Sequence, residues 1–353
     1  IDNGPRIAPI PTTSSPTFSW QTGLFHANRA YHLSQIHGLP IDPAQQLMQQ
    51  LLYRYSNDER LRSTIQLPGQ SAIISAGFRP DTQEIWVVSQ SGQLGLWHQQ
   101  HAITTTQLPA AVVTAQLQQV VWPTQSDRQF GIDRQQQLWT WQAPQLQAKQ
   151  KPQATQTNQA KVEKPEATAV ATGLGPVKQL IASDNGATLA ILAQSGQVQL
   201  WRQENGQLSK LPQQLTNILS LKFFPDSQAF TTSQQDGNIN IHNGDAHINS
   251  TITATSPIRA ITISQNGERI VGIGDDQQLR FWSRQDHQLI DRYLLPHSDF
   301  QTVALNADSS LVAVGRSSGQ ILLYNAAGKL IATLPAEQKP LHQLAFSLTA
   351  HNY

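Results

Sequence analysis

A strand-like motif that recurs along the chain at nearly constant spacing restricts the fold more than any other feature. Each copy contains a turn, alternating apolar positions and a final ring-bearing side chain. The final residues are Trp97, Trp141, Trp201, His242, Trp282 and Tyr324, which are 44, 60, 41, 40 and 42 residues apart. A β-rich unit that repeats every 40–45 residues or so predicts an array of equivalent units rather than one irregular core.

The copies also agree in the kinds of residue they place in order. The clearest are Ser91–Trp97, Ser195–Trp201, Asp236–His242, Asp276–Trp282 and Ser318–Tyr324, and a weaker copy is Arg134–Trp141. Glycine in the turn permits a positive φ between two paired strands. The alternation that follows puts every second side chain on one face of a strand. We expect the final ring to be a structural anchor buried between neighbouring units.

Two further strands precede most copies. The predicted first strands are Ala72–Pro80, Val177–Ala182, Ile218–Pro225, Ile258–Ser264 and Phe300–Asn306. The predicted second strands are Glu84–Ser89, Thr188–Ala193, Ala229–Ser233, Arg269–Ile273 and Leu311–Val314. Pro-Asp, Asn-Gly or Asp-Ser pairs separate them, and such pairs are typical of tight turns.

These units resemble WD40 repeats over roughly residues 63 to 350. The resemblance implies an all-β fold, a WD40-like β-propeller with four strands in each blade. The sequence departs from the family pattern because no Gly-His pair precedes the first strands and no Asp follows the terminal Trp residues. The hydrogen-bond network built on those residues is therefore not transferred to this chain.

The composition along the chain predicts three regions. Residues 1–20 are rich in Pro, Ser and Thr and are expected to be extended or mobile. Residues 21–58 are predicted to form a short α-helical hairpin, with Asp42-Pro43 starting the second helix. Residues 60–353 form the predicted propeller, interrupted at about 143–172 by a low-complexity insertion that lacks the apolar surface to fold alone.

The blade count follows from both ends of the propeller region. Arg62–Leu67 is predicted to be an outer strand and Leu341–Leu348 the first strand of a seventh blade, which stays incomplete in this chain. The helical segment before the repeats resembles the linkers that precede WD40 arrays in bacterial signalling NTPases and caspase-like proteases. The resemblance implies that the chain is a fragment of a larger bacterial protein, with an effector upstream of Ile1.

Composition and motifs favour no catalytic, cofactor-binding or metal-binding residue. The chain has no cysteine, which excludes disulfides, thiolate ligands and a cysteine nucleophile. Its histidines lack metal-ligand spacing, and neither a phosphate loop nor a G-x-S-x-G nucleophile motif is present. A net charge of +1 gives no basic stripe for nucleic acid, and no apolar run could span a membrane.

We therefore expect no enzyme and no cofactor, but a non-catalytic scaffold or sensor module that binds a protein or peptide. Loops on a rigid ring can vary without disturbing its core. The candidate partner-binding residues lie in its turns: Arg79, Asp226, Gln235, Asp276, Arg316 and Ser317. The alternative is an enzyme or small-ligand binder that uses the axial channel. The sequence does not determine the compartment, although the lack of a visible signal peptide favours the cytoplasm.

Overall fold

The computed structural model describes residues 72–78, 84–98, 101–144, 167–334 and 344–346. Over these residues the chain forms six sheets of four strands, and each sheet contains four strands that are consecutive in sequence. All pairings within the sheets are antiparallel. This arrangement is a six-bladed β-propeller, which confirms the predicted all-β propeller architecture.

The strands occupy four equivalent positions in the blades. The first strands are β1 (Ile73–Phe78), β5 (Leu117–Val121), β9 (Val177–Ala182), β13 (Ile218–Phe223), β17 (Ile258–Ile263) and β21 (Phe300–Leu305). The second strands are β2 (Glu84–Ser89), β6 (Arg128–Asp133), β10 (Thr188–Ala193), β14 (Ala229–Gln234), β18 (Arg269–Gly274) and β22 (Leu311–Arg316). The third strands are β3 (Gln93–His98), β7 (Gln137–Gln142), β11 (Val198–Glu204), β15 (Asn238–Asn243), β19 (Gln278–Ser283) and β23 (Ile321–Asn325). The fourth strands are β4 (His101–Gln107), β8 (Thr168–Ala171), β12 (Gln207–Leu215), β16 (Ile248–Thr253), β20 (Leu289–Leu294) and β24 (Leu330–Leu334).

The antiparallel order gives each blade two ends with different loops. Loops that follow even-numbered strands lie at one end, which we call the even-loop face. Loops that follow odd-numbered strands lie at the other end, the odd-loop face. A short helix, α1 (Ala110–Thr114), belongs to the connection between the first and second blades. No helix among the described residues is long and apolar enough to cross a membrane.

The fourth strands were not located individually from the sequence. They carry polar and exposed residues, as in β20, where five of six positions are exposed, so they show no clear apolar alternation. β8 lies within the segment that was predicted to be a low-complexity insertion, and it pairs with β7. The C-terminal end of that segment therefore belongs to the second blade.

The hydrophobic core consists of layers between consecutive blades. Each layer combines apolar third-strand residues of one blade with the second-strand residues and terminal ring of the next. Leu94 and Leu96 of the first blade, for example, pack in one cluster with Trp141 of the second. All six predicted anchors are at most 5% exposed. This flat packing of sheet on sheet makes each blade depend on its neighbours.

The number of blades differs from the expected seven, because the described strands form six. The predicted strand Arg62–Leu67 and the predicted helical hairpin lie outside the described residues. Within the predicted strand Leu341–Leu348, only Leu344, Ala345 and Phe346 are described, and they are not assigned to a strand. Consecutive first strands pack together from β1 to β21. Among the described strands, β21 and β1 make no comparable contact that would close the ring.

Candidate functional site

Every blade carries the same irregularity at the start of its first strand. The pairing with the second strand skips one residue, the second of the strand, in each of the six sheets. The skipped residues are Ile74, Gln118, Lys178, Leu219, Arg259 and Gln301. A bulge of this kind re-aims a side chain out of the sheet. Because first strands start at the even-loop face, the six bulges form a ring of aimed side chains there.

Two cations in this ring repel one another. The Nζ of Lys178 donates a hydrogen bond of 2.6 Å to the carbonyl oxygen of Leu219. Partial desolvation lowers the pKa of Lys178, and the positive charge of Arg259 lowers it further. Arg259 itself forms a two-pronged ion pair with Asp275, and its Nη2 lies 2.9 Å from Asp275 Oδ2. Lys178 has no carboxylate partner among the described residues, so the ring keeps a positive bias.

Side chains next to the bulges fix the blades relative to one another. Ser75 Oγ accepts the Val120 N–H at 2.7 Å, and Ser220 Oγ accepts the Ile261 N–H at 3.3 Å. Gln119 makes two such bonds, accepting the Leu180 N–H at 2.7 Å and donating to Lys178 O at 3.0 Å. These bonds satisfy main-chain groups at the free edges of the first strands. The ring of aimed side chains therefore rests on a rigid support.

Three of the predicted partner-binding residues lie on the even-loop face but already have partners. Asp276 is held by the buried guanidinium of Arg280, whose Nη1 lies 2.9 Å from Asp276 Oδ1. The side-chain hydrogen bond from Arg280 lowers the pKa of Asp276. Arg316 Nε donates to Asp299 at 2.8 Å, and Ser317 Oγ donates to the same carboxylate at 3.0 Å. The first pair stabilises the turn between β18 and β19, and the contacts of Asp299 join the turn after β22 to the connection between β20 and β21.

The other three predicted residues do not join them in one site. Gln235 is exposed in the second-to-third-strand turn of the fourth blade, on the even-loop face. Asp226 lies in a first-to-second-strand turn, on the odd-loop face, and pairs with Arg284 at 2.9 Å. Arg79 lies outside the described residues. The predicted set therefore does not form a single face, because turns after first strands and turns after second strands are at opposite ends of antiparallel blades.

Sequence reasoning missed a second group of polar residues on the even-loop face. Gln90, Arg134 and Gln194 follow the second strands of the first three blades, and all three are exposed. They surround a pocket that also contains the first-strand residues Leu117 and Val177. A sequence signal for this group exists, since Gln90, Arg134 and Gln194 each directly follow the second strand of their blade.

The described polar groups on this face are suited to hydrogen bonding and charge pairing. Arginine stays protonated in proteins, and the pKa of Asp276 is lowered, so neither is suited to exchange a proton near neutral pH. Amide side chains can donate and accept at once, which suits contact with a polypeptide main chain. Among the described residues, no three His, Asp or Glu side chains are grouped as a metal site would require.

Comparison with known proteins supports the architecture. The model of the family described as "WD domain, G-beta repeat" matches residues 247–283, which extend from β16 to β19. No curated protein matches the chain in sequence. The solved structure of KlHsv2 with loop 6CD replaced by a Gly-Ser linker is similar at a TM-score of 0.55 and 12% identity, over 72% of this chain and 78% of that one. Altogether 1862 chains of solved structures match. A fold shared so widely does not identify a function by itself.

Proposed function

Because this chain is a WD40-like β-propeller, we propose that it is a non-catalytic module that binds a polypeptide segment of a partner on its even-loop face. WD40 propellers are commonly protein-interaction scaffolds. The proposal goes further, in assigning the binding to one face and to the first three blades.

The proposal rests on a difference between blades: some polar side chains of this face have partners within the described protein, and others have none. In the fifth and sixth blades, Arg259, Arg280 and Arg316 are paired with aspartates on the same face. In the first three blades, Gln90, Arg134 and Gln194 project from equivalent turns with no hydrogen bond or ion pair of their side chains among the described residues. Exposed groups without internal partners are free to bind a partner, whereas breaking the arginine–aspartate pairs would cost energy.

The alternative from the sequence, an enzyme or small-ligand site in the axial channel, has less support. It requires several titratable side chains that converge where a substrate could reach them. At the bulge ring, Arg259 is engaged by Asp275 and Lys178 by a main-chain carbonyl. The first contact lies within the fifth blade, the second joins the third blade to the fourth, and neither positions a group for proton transfer. We therefore prefer the binding module.

A role as the sensor of a larger bacterial signalling protein is a further proposal. It is supported by the resemblance of residues 21–58 to the helical linkers of such proteins, and these residues lie outside the described part of the chain. Sequencing the complete gene tests it, since a signalling ATPase, GTPase or protease domain encoded in the same reading frame is expected. A gene that encodes no such domain would contradict this role.

Site-specific photo-crosslinking tests the proposed binding face. A benzoylphenylalanine at position 194 is placed on the even-loop face, and the matched control carries it at Gln285, an exposed glutamine on the odd-loop face. We expect crosslinked polypeptides in extracts of the source cells from position 194 and not from position 285, with suppression by excess unmodified protein. Equal yields at both positions, or crosslinks at 285 alone, would overturn the assignment.

We also propose that the ring has seven blades, with Leu341–Leu348 as the first strand of the seventh. On the first blade, Val87 and Trp97 are 2% and 5% exposed, but their cluster otherwise contains only Ile85 of the same blade. At the other blades, the equivalent terminal ring packs on the preceding blade. Among the described residues, no neighbouring blade packs on Val87 and Trp97, which supports a further blade next to the first.

The sixth blade and the C-terminal residues support the same proposal. Ile321 and Leu323 point away from the fifth blade and are only half-buried, whereas their equivalents Leu279 and Phe281 are buried. In sequence, Leu344-Ala345-Phe346 aligns with Leu221-Lys222-Phe223 of β13. The exposed middle residue between two more buried neighbours is common to both segments. A strand inserted between β21 and β1 would cover both open faces.

A further inference from the structure

The pocket on the even-loop face between the first three blades has the size of a ligand site. Its volume is about 570 Å³, within the range of about 300–1,000 Å³ that is usual for binding pockets. Leu117 and Val177 form buried apolar walls, with Ile74 beside them, and Gln90, Gln194 and Arg134 lie around the opening. The pocket lining is therefore mainly polar, since it also includes Gln118, Gln119 and Gln136, and its apolar part consists of Leu117, Val177, Ile74 and Pro176.

Hydrogen bonds of Gln136 fix the turn that carries Arg134. Gln136 Oε1 accepts the Val177 N–H at 3.1 Å, and the main-chain oxygen of Gln136 accepts Thr172 Oγ1 at 2.6 Å. Gln136 has a φ of 61°, at a position where four other blades have glycine with a positive φ. The left-handed backbone conformation is unfavourable for glutamine. The hydrogen bond from the Val177 N–H to its side chain links the second blade to the third. Arg134 is thus presented on a fixed turn.

Arg134 is the one arginine among the four described on this face that has no aspartate partner. The nearest carboxylate in sequence, Asp133, accepts hydrogen bonds from the Gln137 N–H at 2.8 Å and from Trp139 Nε1 at 2.7 Å. Asp133 is 2% exposed, so its carboxylate is bound inside the second blade and does not pair with Arg134. No Asp or Glu lines the described part of the pocket. The rim therefore carries an uncompensated positive charge.

The neighbouring bulge ring adds to this charge. Lys178 follows the pocket residue Val177 in sequence, and the effect of Arg259 on its pKa reveals repulsion between like charges at the channel mouth. An anionic group bound on this side of the face would reduce that repulsion. The positive charges of the pocket rim and of the bulge ring therefore both favour a negatively charged ligand.

From this geometry we propose that the pocket binds an acidic side chain of an extended segment of the partner polypeptide. Its carboxylate pairs with the guanidinium of Arg134, and the amides of Gln90 and Gln194 donate to the main chain of the segment. A forked guanidinium matches a carboxylate in two parallel hydrogen bonds, which gives strength and orientation together. This inference rests on the proposed function and specifies the chemistry of the partner.

Peptide libraries provide the test. The full chain is incubated with two arrays of random nonapeptides, one with a central glutamate and one with a central glutamine. Since a charge-assisted pair contributes more than a neutral hydrogen bond, we expect about a tenfold preference for the glutamate array. Arg134→Gln should abolish this preference. The matched control, Arg292→Gln, removes an exposed arginine on β20, at the outer edge of the fifth blade, and should keep it.

The outcomes separate the two proposals. Equal binding to both arrays, or a preference that survives in Arg134→Gln, would overturn the acidic-segment inference and leave the binding module intact. No binding to either array would overturn both the inference and the assignment of a polypeptide ligand. Thermal melting of both variants checks that they fold, since both arginines are exposed and their replacement should leave the midpoint close to that of the parent chain.

Discussion

At the residue scale, equivalent positions in different blades are occupied by different residues, which pack in different ways. Trp282 and Trp201 pack as large apolar rings between blades, but the fourth blade has His242 at this place. Its ring stacks on Phe230 at a centroid distance of 4.6 Å. Nε2 lies 2.9 Å from Thr232 Oγ1, and Nδ1 lies 3.3 Å from Ala246 O. Since a carbonyl can only accept, Nδ1 carries the proton and Nε2 accepts from the threonine hydroxyl.

This buried histidine predicts a loss of stability in mild acid. Burial lowers the pKa of His242, although the bond to Ala246 opposes the shift. The unfolded chain, with a histidine pKa of about 6.5, therefore binds a proton more readily than the folded chain. The contribution of the neutral ring is present above about pH 6.5 and is lost as the pH falls through the lower folded pKa.

The measurement is the free energy of unfolding in urea at pH 7.5 and pH 5.5. We expect a smaller decrease between the two pH values in His242→Gln than in the parent chain. His247→Gln alters an exposed histidine five positions away and should keep the decrease of the parent chain. An unchanged decrease in His242→Gln would show that other groups are responsible.

At the element scale, the strands of a blade differ in how well the sequence predicts them. In five of the six blades, first and second strands were located to within two residues because they are apolar and end in recognisable turns; β9, β10 and β2 match their predicted bounds, whereas β5 and β6 of the second blade were not located individually. The fourth strands are exposed at the rim, so polar residues suffice there and the alternation fades. β8 is the extreme case, since four residues pair with β7 at the end of a low-complexity segment.

The tight turns that join second and third strands yield a prediction about glycine. Gly237 has a φ of 86°, and a Cβ at this position would lie 2.7 Å from Ala254 O, a main-chain atom that cannot move aside easily. We expect Gly237→Ala to lower the free energy of unfolding by about 2 kcal/mol, since a strained backbone residue costs roughly 1–3 kcal/mol.

Gly244→Ala is the control for this substitution. Gly244 also lies in a turn of the fourth blade, but a Cβ there would meet only Gln228 O at 3.5 Å, an ordinary contact distance. Urea unfolding should show a change within about 0.5 kcal/mol for this variant, as is usual for surface substitutions. Similar losses in the two variants would mean that the left-handed turn is not the cause.

At the scale of the whole molecule, stability depends on how the ring of blades is completed. An open propeller would leave apolar sheet faces and strand edges uncovered. Among the described blades, no neighbouring blade packs on Ile321 and Leu323 of the sixth blade or on Val87 and Trp97 of the first. The proposed seventh-blade strand, Leu341–Leu348, would lie between them.

Thiol labelling tests this closure, because the chain has no cysteine of its own. In Val87→Cys, we expect slow labelling in the full chain and labelling at least about tenfold faster after residues 336–353 are deleted, since the covering segment is then lost. Ile191→Cys, fully buried in the layer between the second and third blades, should stay protected in both and so shows that the remaining blades are folded. Continued protection of the thiol at position 87 after the deletion would contradict the proposal.

The pairing of polar groups at the candidate site could not be predicted from the sequence. The alternation of apolar residues, the glycine turns and the spacing of ring-bearing residues are properties of the sequence, and they predicted the propeller architecture and most of the first, second and third strands in their order. Which polar groups stay free is a tertiary property. Asp276 and Arg316 were expected to face a partner, but Arg280 and Asp299 occupy them, and Asp299 lies 17 residues from Arg316. Among the described residues, Arg134 has no carboxylate partner, because the neighbouring Asp133 accepts a hydrogen bond from Trp139 inside the blade. The repeat pattern does not encode which charges meet, since Arg316 and Asp299 come from different loops whose distance is set by the folded structure.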